Sequence, residues 1–207
     1  MRTRAGWTVL AALAISPAIT LAAETRFGLP VPVLQTVTSA DQFARFAAPV
    51  RAALPGSGLD QRLRLGMQAH LALNDRDAAT ALAAGAALRE LETNPAAKAL
   101  AGLVSEAQVA AWRPGMTFSR ELTTRLAGLP PTSEITARLR NLREKIAITT
   151  REHLLAEAAA LGRRLDAAGS CDWLGADEII RLHHRLVNVL PIRDAMLAVL
   201  DEVIAGR

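Results

Sequence analysis

Between Glu134 and Leu161 the chain has no glycine or proline, and its apolar residues return every three or four positions. Ile135, Leu139, Leu142 and Ile146 form one run, and Leu154, Ala158, Leu161 and Leu165 resume it after the polar trio Thr149, Thr150 and His153. That period places the apolar side chains on one helical face and predicts one long helix near 133–165, roughly 40 Å at about 1.5 Å per residue. Thr132 or Ser133 is its capping residue, because a hydroxyl there accepts from a backbone N–H that the helix start leaves without a partner. The polar trio interrupts the seam without a glycine or proline to stop the helix.

The same reading fills most of the remaining chain. Ser39-Ala40-Asp41-Gln42 has the capping-box spacing and starts a helix over about 40–54, kinked or split at Pro49. Leu59, Leu63, Met67 and Leu71 mark a helix that ends near Asn74-Asp75, and a second runs from Arg76 to about Glu92. Asn94-Pro95 starts a third that reaches Trp112, where Arg113-Pro114-Gly115 closes it. A shorter helix spans Thr117 to Ala127 before Gly128 and Pro130-Pro131, and a last pair covers Ala176 to Leu190 and Pro191 to Ala205. No stretch alternates with a period of two over more than a few residues. The expected class is all-α, a multi-helix bundle or a set of stacked helical hairpins. Residues 39–207 form one domain with a possible subdivision near 128–132, preceded by an extended, proline-containing arm over 24–38.

The N-terminus is patterned differently. Arg2 and Arg4 precede a mostly apolar run from Ala5 to Leu21, and Thr20-Leu21-Ala22-Ala23 offers small residues before the polar Glu24-Thr25-Arg26. A basic start, an apolar stretch and small residues at a cut site make a secretory signal over 1–23, with the mature chain beginning near Glu24. Pro17 and the marginal length disfavour an uncleaved anchor, which needs roughly 20 well-filled apolar residues. Lipidation at the cut would need a cysteine there, and the single cysteine is Cys171. The expected location is therefore periplasmic or secreted.

Composition narrows the picture further. Cutting the signal leaves 184 residues and lowers the formal charge from +4 to +2, with no basic run interleaved with aromatics, so nucleic acid is not an expected partner. Arg outnumbers Lys 22 to two, which fits a GC-rich bacterial genome. Aromatics are 3% of the chain, so the core must be built from Ala, Leu, Val and Ile. A lone cysteine cannot close a disulfide within the chain, so the fold stands on packing alone. Cys171 is then a buried apolar side chain, a thiol that pairs between chains, or a nucleophile. Trp112 and Trp173 flank loops and are expected to pin them.

Residues 60–93 carry one likeness. Ala72-Leu73-Asn74-Asp75-Arg76-Asp77-Ala78-Ala79 resembles the inter-helix turn of tetratricopeptide repeats, in which a Leu precedes a tight polar corner and a small Ala opens the second helix. Leu63 stands where that family prefers a large aromatic, and His70 where it prefers Tyr. The resemblance covers about a sixth of the chain. It implies a helical hairpin and a protein-interaction surface, and no ligand.

Few residues suggest chemistry. His183, next to His184, falls in the middle of the face formed by Ile179, Leu182, Leu186 and Leu190, which makes it either a hydrogen-bonded core residue or a general base facing a pocket. Neighbouring positions point about 100° apart, so the two rings cannot readily chelate one metal. His153 and Glu157, four apart, suit a metal or a surface ion pair, with no third ligand adjacent in sequence. Glu134 and Arg138 make a helix-surface pair at the same spacing. Arg143 or Arg151 could turn into the bundle beside Thr149, Thr150 and His153 to form a cationic cleft for a small carboxylate or phosphate. Ser119, Ser133 and Ser170 lie in no nucleophile motif and sit where caps and loops are expected. No cofactor is implied. The expected function is an exported helical interaction or scaffold protein of the bacterial envelope, its partner another envelope protein. The alternatives are a small exported all-helical enzyme or binder using Arg151, His153 or His183, or a helical accessory part of a larger exported hydrolase.

Overall fold

The computed structural model describes residues 27–28 and 32–207. The signal over 1–23 and the first residues of the arm lie outside them. The described chain is all-α: α1 Val33–Thr38, α2 Ala40–Ala53, α3 Gln61–Asn74, α4 Ala78–Glu90, α5 Pro95–Leu100, α6 Leu103–Ala111, α7 Phe118–Ala127, α8 Ser133–Ala147, α9 Arg151–Ala168, α10 Trp173–His184 and α11 Arg193–Ala205. A π turn at Arg185–Val189 and a 3-10 turn at Leu190–Ile192 join α10 to α11, so Trp173–Ala205 forms one distorted rod of 33 residues. No helix among the described residues is long and apolar enough to cross a membrane.

Capping residues set most helix starts. Ser39, Asp60, Asp77, Asn94, Thr117, Thr132, Thr150 and Asp172 each accept a backbone N–H from the first turn of the helix that follows. Two of them explain departures from the sequence pattern. The helix expected over 133–165 is two helices, α8 and α9: Thr149 Oγ1 donates back to the Lys145 carbonyl at 2.9 Å, and Thr150 Oγ1 accepts from His153 N at 3.2 Å. A threonine that binds its own backbone offers the chain an alternative to the helix ladder. Asp172 starts α10 earlier than Ala176, with Oδ1 2.8 Å from Gly175 N. The helix expected from Pro95 to Trp112 also divides, because Ala101 leaves the helical region and Gly102 follows at φ +82°, which favours glycine. The arm over 24–38 is helical in its second part, α1, while Phe27 pairs with Cys171 in an isolated antiparallel bridge.

The helices build two main cores. The first gathers Phe27, α1, α2, α9 and α10 with Met67 and Leu71 of α3. The second gathers α5 to α8 and α11 around Leu122, Leu126, Leu139, Met196 and Leu200. A small patch of Ala72, Leu73, Ala81 and Val109 lets the α3–α4 hairpin lean against α6. Residues on both sides of 128–132 share the second core. The chain crosses from the first core to the second between Leu71 and Ala96, returns at Ile148–Thr150, and crosses again at the π and 3-10 turns, so each core holds two separate stretches of the sequence.

The hairpin corner and the start of α10 show how tightly the backbone is drawn. At the corner Asp77 N bonds the Ala72 carbonyl at 2.8 Å and Arg76 sits at φ +56°, a left-handed position occupied here by a residue with a Cβ. At Gly175 an added Cβ would come within 2.9 Å of Leu165 Cδ2 and 3.2 Å of Cys171 Sγ. Glycine is what lets α10 lie against the end of α9.

Candidate functional site

The residues with suggested chemistry scatter into separate settings. His183 is in the first core, its ring stacked on Phe43 at 3.7 Å between centroids and its Nδ1 2.8 Å from the Val37 carbonyl. Burial pulls it below the ordinary imidazole range, and the bond to Val37 opposes that. It ties α10 to α1 and α2. His153 Nε2 lies 3.1 Å from Glu157, whose other oxygen accepts from Arg185 at 2.6 Å. No group of three or more His, Cys, Asp or Glu with metal-site geometry occurs among the described residues, and Glu157 bridges His153 and Arg185. Arg143 pairs with Asp201 at 2.6 and 3.2 Å, and Arg151 is exposed in the first turn of α9. Thr149 and Thr150, beside which a cationic cleft was expected, turn their hydroxyls onto the backbone. Glu134 and Arg138 make the expected surface pair, at 3.1 Å.

Cys171 has no exposed surface, and its thiol is pushed up to about 12 by burial first and by Asp172 and Glu178 after it. It stays protonated at neutral pH, and a buried sulfur cannot meet a second chain without local opening. Phe27 presents its edge to Trp173 at 4.8 Å, pinning the arm to the loop before α10.

The structure assembles a polar cluster that none of these expectations contains. Where the rod passes α3, the His70 and His184 rings lie 4.8 Å apart. One turn further along both elements, Asn188 Nδ2 donates to Asn74 Oδ1 at 2.6 Å and reaches His184 Nδ1 at 3.2 Å. α3 and the rod therefore run in the same direction here, with two His-x-x-x-Asn pairs in register. Gln108 of α6 closes the cluster, its Nε2 donating to the Asn188 carbonyl at 3.1 Å. That carbonyl belongs to the segment where Pro191, which has no N–H, forces the ladder out of α register; Leu190 N bonds Arg185 O, five residues back.

The cluster is closed to solvent on its inner side and incompletely satisfied. His70 Nδ1 and Asn74 Nδ2 are buried atoms without a hydrogen-bond partner, although each residue as a whole is half-buried. Burial first, and the Arg181 charge second, lower His70 to about 4. Burial, then His70, then His183 lower His184 to about 3. Both rings are neutral at ordinary pH. Two neutral imidazoles and two amides can exchange protons and hydrogen bonds, yet no nucleophile or carboxylate joins them. Asp177, the buried acid nearby on α10, is paired with Arg181 at 2.8 Å, and burial raises its carboxyl against that pull.

Open grooves mark the surface of the described residues. One, of 760 Å³, runs between the α5–α6 corner and α8 with Leu100, Val104 and Leu142 on its floor and Glu92, Glu134, Arg138 and Lys145 on its rim. Another, of 580 Å³, lies between α9 and α10, where Arg164, Arg181 and Arg185 each face a carboxylate, Glu178, Asp177 and Glu157 respectively. A smaller one, of 460 Å³, lies where the end of α2 meets α3 and the start of α4. No protein family matches this chain, and no curated protein or solved structure matches it.

Proposed function

We propose that this chain is an exported helical scaffold of the bacterial envelope that receives an amphipathic segment of another envelope protein in the groove between the α5–α6 corner and α8. The anatomy of that groove carries the reading. Half-buried leucine and valine side chains form an apolar floor, and charges of both signs line the rim, the arrangement of a protein-binding surface in which burial supplies affinity and rim charges supply register. The basic start, apolar run and small residues before Glu24 support export.

Two measurements test it. N-terminal sequencing of the protein recovered from its own host should begin at Ala23 or Glu24, and an intact Met1 would remove the export part. A photo-crosslinking residue at the exposed Asn141 should yield one defined adduct with an envelope protein, which Arg138→Glu at the rim weakens at least several-fold. The same probe at Arg113, outside the groove, should yield none. Equal labelling from both positions, or from neither, would overturn the groove as the docking surface. The α9–α10 groove does not favour the other reading, an exported binder of small anions. Its three arginines are already matched by three carboxylates, which leaves that groove without surplus positive charge.

A further inference from the structure

The His70–His184 seam joins three features that are otherwise separate. It is the place where α3 meets the rod, it adjoins the π turn, and it sits at the last crossing of the chain between the two cores. Its polar atoms are arranged for neutral rings. His184 Nδ1 is engaged by the Asn188 amide, and His70 Nδ1 is buried with no acceptor in reach. A proton added to either ring would need an anion or full exposure to stabilise it; among the described residues no carboxylate pairs with either ring, His184 is buried and His70 is half-buried. From α10 and the π turn the charged groups are Arg181, already held by Asp177, and Arg185, already held by Glu157. The third ring, His183, points away toward Val37 and Phe43, and α6 supplies only the uncharged Gln108. With centroids 4.8 Å apart, charging both rings also sets like charges against each other in a poorly solvated site. His70 is half-buried, so protons reach the seam from its side.

We propose that this seam is an acid-operated release: proton uptake by His70 and His184 separates α3 from the π turn and loosens the junction of the two cores while each core stays packed. The device is a paired imidazole lock on a segment already displaced from regular helix, so its opening exposes little apolar surface compared with unfolding either core.

Amide hydrogen exchange of the whole chain, corrected for the intrinsic pH dependence of exchange, tests the proposal directly. Between pH 7 and pH 4.5, protection over residues 70–77 and 184–192 should fall at least about tenfold, while α7 and the second half of α11 change by less than about twofold. In the double variant His70→Gln with His184→Gln the local loss should shrink below about threefold. Should that variant fail to fold, an NMR titration of the imidazoles in the unaltered protein decides the matter. Rings that stay neutral to pH 5, and charge only as the seam opens, support the release. Rings that titrate near 6.5 with the seam still protected overturn it. Loss of protection in all helices together also overturns it, since that is ordinary acid unfolding.

Discussion

At the scale of single residues, the α3–α4 corner holds an avoidable cost. Arg76 occupies the left-handed region at φ +56°, where a Cβ crowds the following carbonyl. Glycine removes that crowding but adds freedom to the unfolded chain, so the two effects partly cancel. Arg76→Gly should stabilise the protein by about 0.5–1 kcal/mol, read as a higher urea midpoint with an unchanged slope. The corner was legible in the sequence because Asn74-Asp75-Arg76-Asp77 is a polar run that interrupts the apolar period, and Asp77 caps α4 through Thr80 N at 3.1 Å. The burial of His183 was legible too, since it stands in the middle of the face formed by Ile179, Leu182 and Leu186. His70 and His184 were not. Their one signal is the spacing His-x-x-x-Asn, which occurs at 70–74 and again at 184–188. Only the register of two helices whose paired asparagines stand 114 positions apart brings the copies together.

At the scale of elements, the difference between a polar interruption and a helix end decided where the chain bends. Thr149 and Thr150 lie on an apolar seam that continues beyond them, so periodicity alone carries one helix through. Backbone capping decides otherwise, and the turn at Ile148–Thr150 sends α8 and α9 into different cores. Thr150→Ala should therefore cost about 1 kcal/mol, a cap lost at the start of an 18-residue helix, while Thr150→Ser keeps the acceptor and should recover most of it. Chemical denaturation of the two variants side by side checks this. Equal losses in both would mean that the methyl group, not the hydroxyl, holds the turn. Gly102 shows the same limit: one glycine in a helical pattern is compatible with continuation, and only the left-handed backbone it adopts reveals a break. Ser39, Asn94 and Thr132 were readable because each stands just before an apolar period begins.

At the scale of the whole molecule, the buried imidazoles link stability to pH with a definite sign. A ring whose folded pKa lies below its unfolded value contributes fully above that unfolded value, 6.5, and the contribution is lost as pH falls toward the folded one. For His70 the window runs from 6.5 to about 4, and for His184 from 6.5 to about 3. Each ring can remove up to about 1.4 kcal/mol per pH unit across its window. Equilibrium unfolding at pH 7.5, 6.5, 5.5 and 4.5 should show a plateau above 6.5 and a steepening decline below it. A flat profile down to pH 5 would mean that the rings carry no linkage. The all-α class was legible from the missing two-residue alternation, but the pairing of segments into two cores was not. It rests on which faces meet across more than a hundred residues of sequence.

That pairing also decides how the polypeptide can be divided. Residues 27–147 hold most of the second core and part of the first, and residues 151–207 hold the rest of both. Neither piece has a complete interior, and each supplies what the other lacks. A gene cut at the turn near Thr149 would encode two halves that are insoluble or unstructured when made separately and that assemble into one native body when made together. The two cores are thus regions of a single cooperative unit, and an attempt to isolate either as a minimal domain would have to reroute the chain, joining segments that the natural order keeps apart.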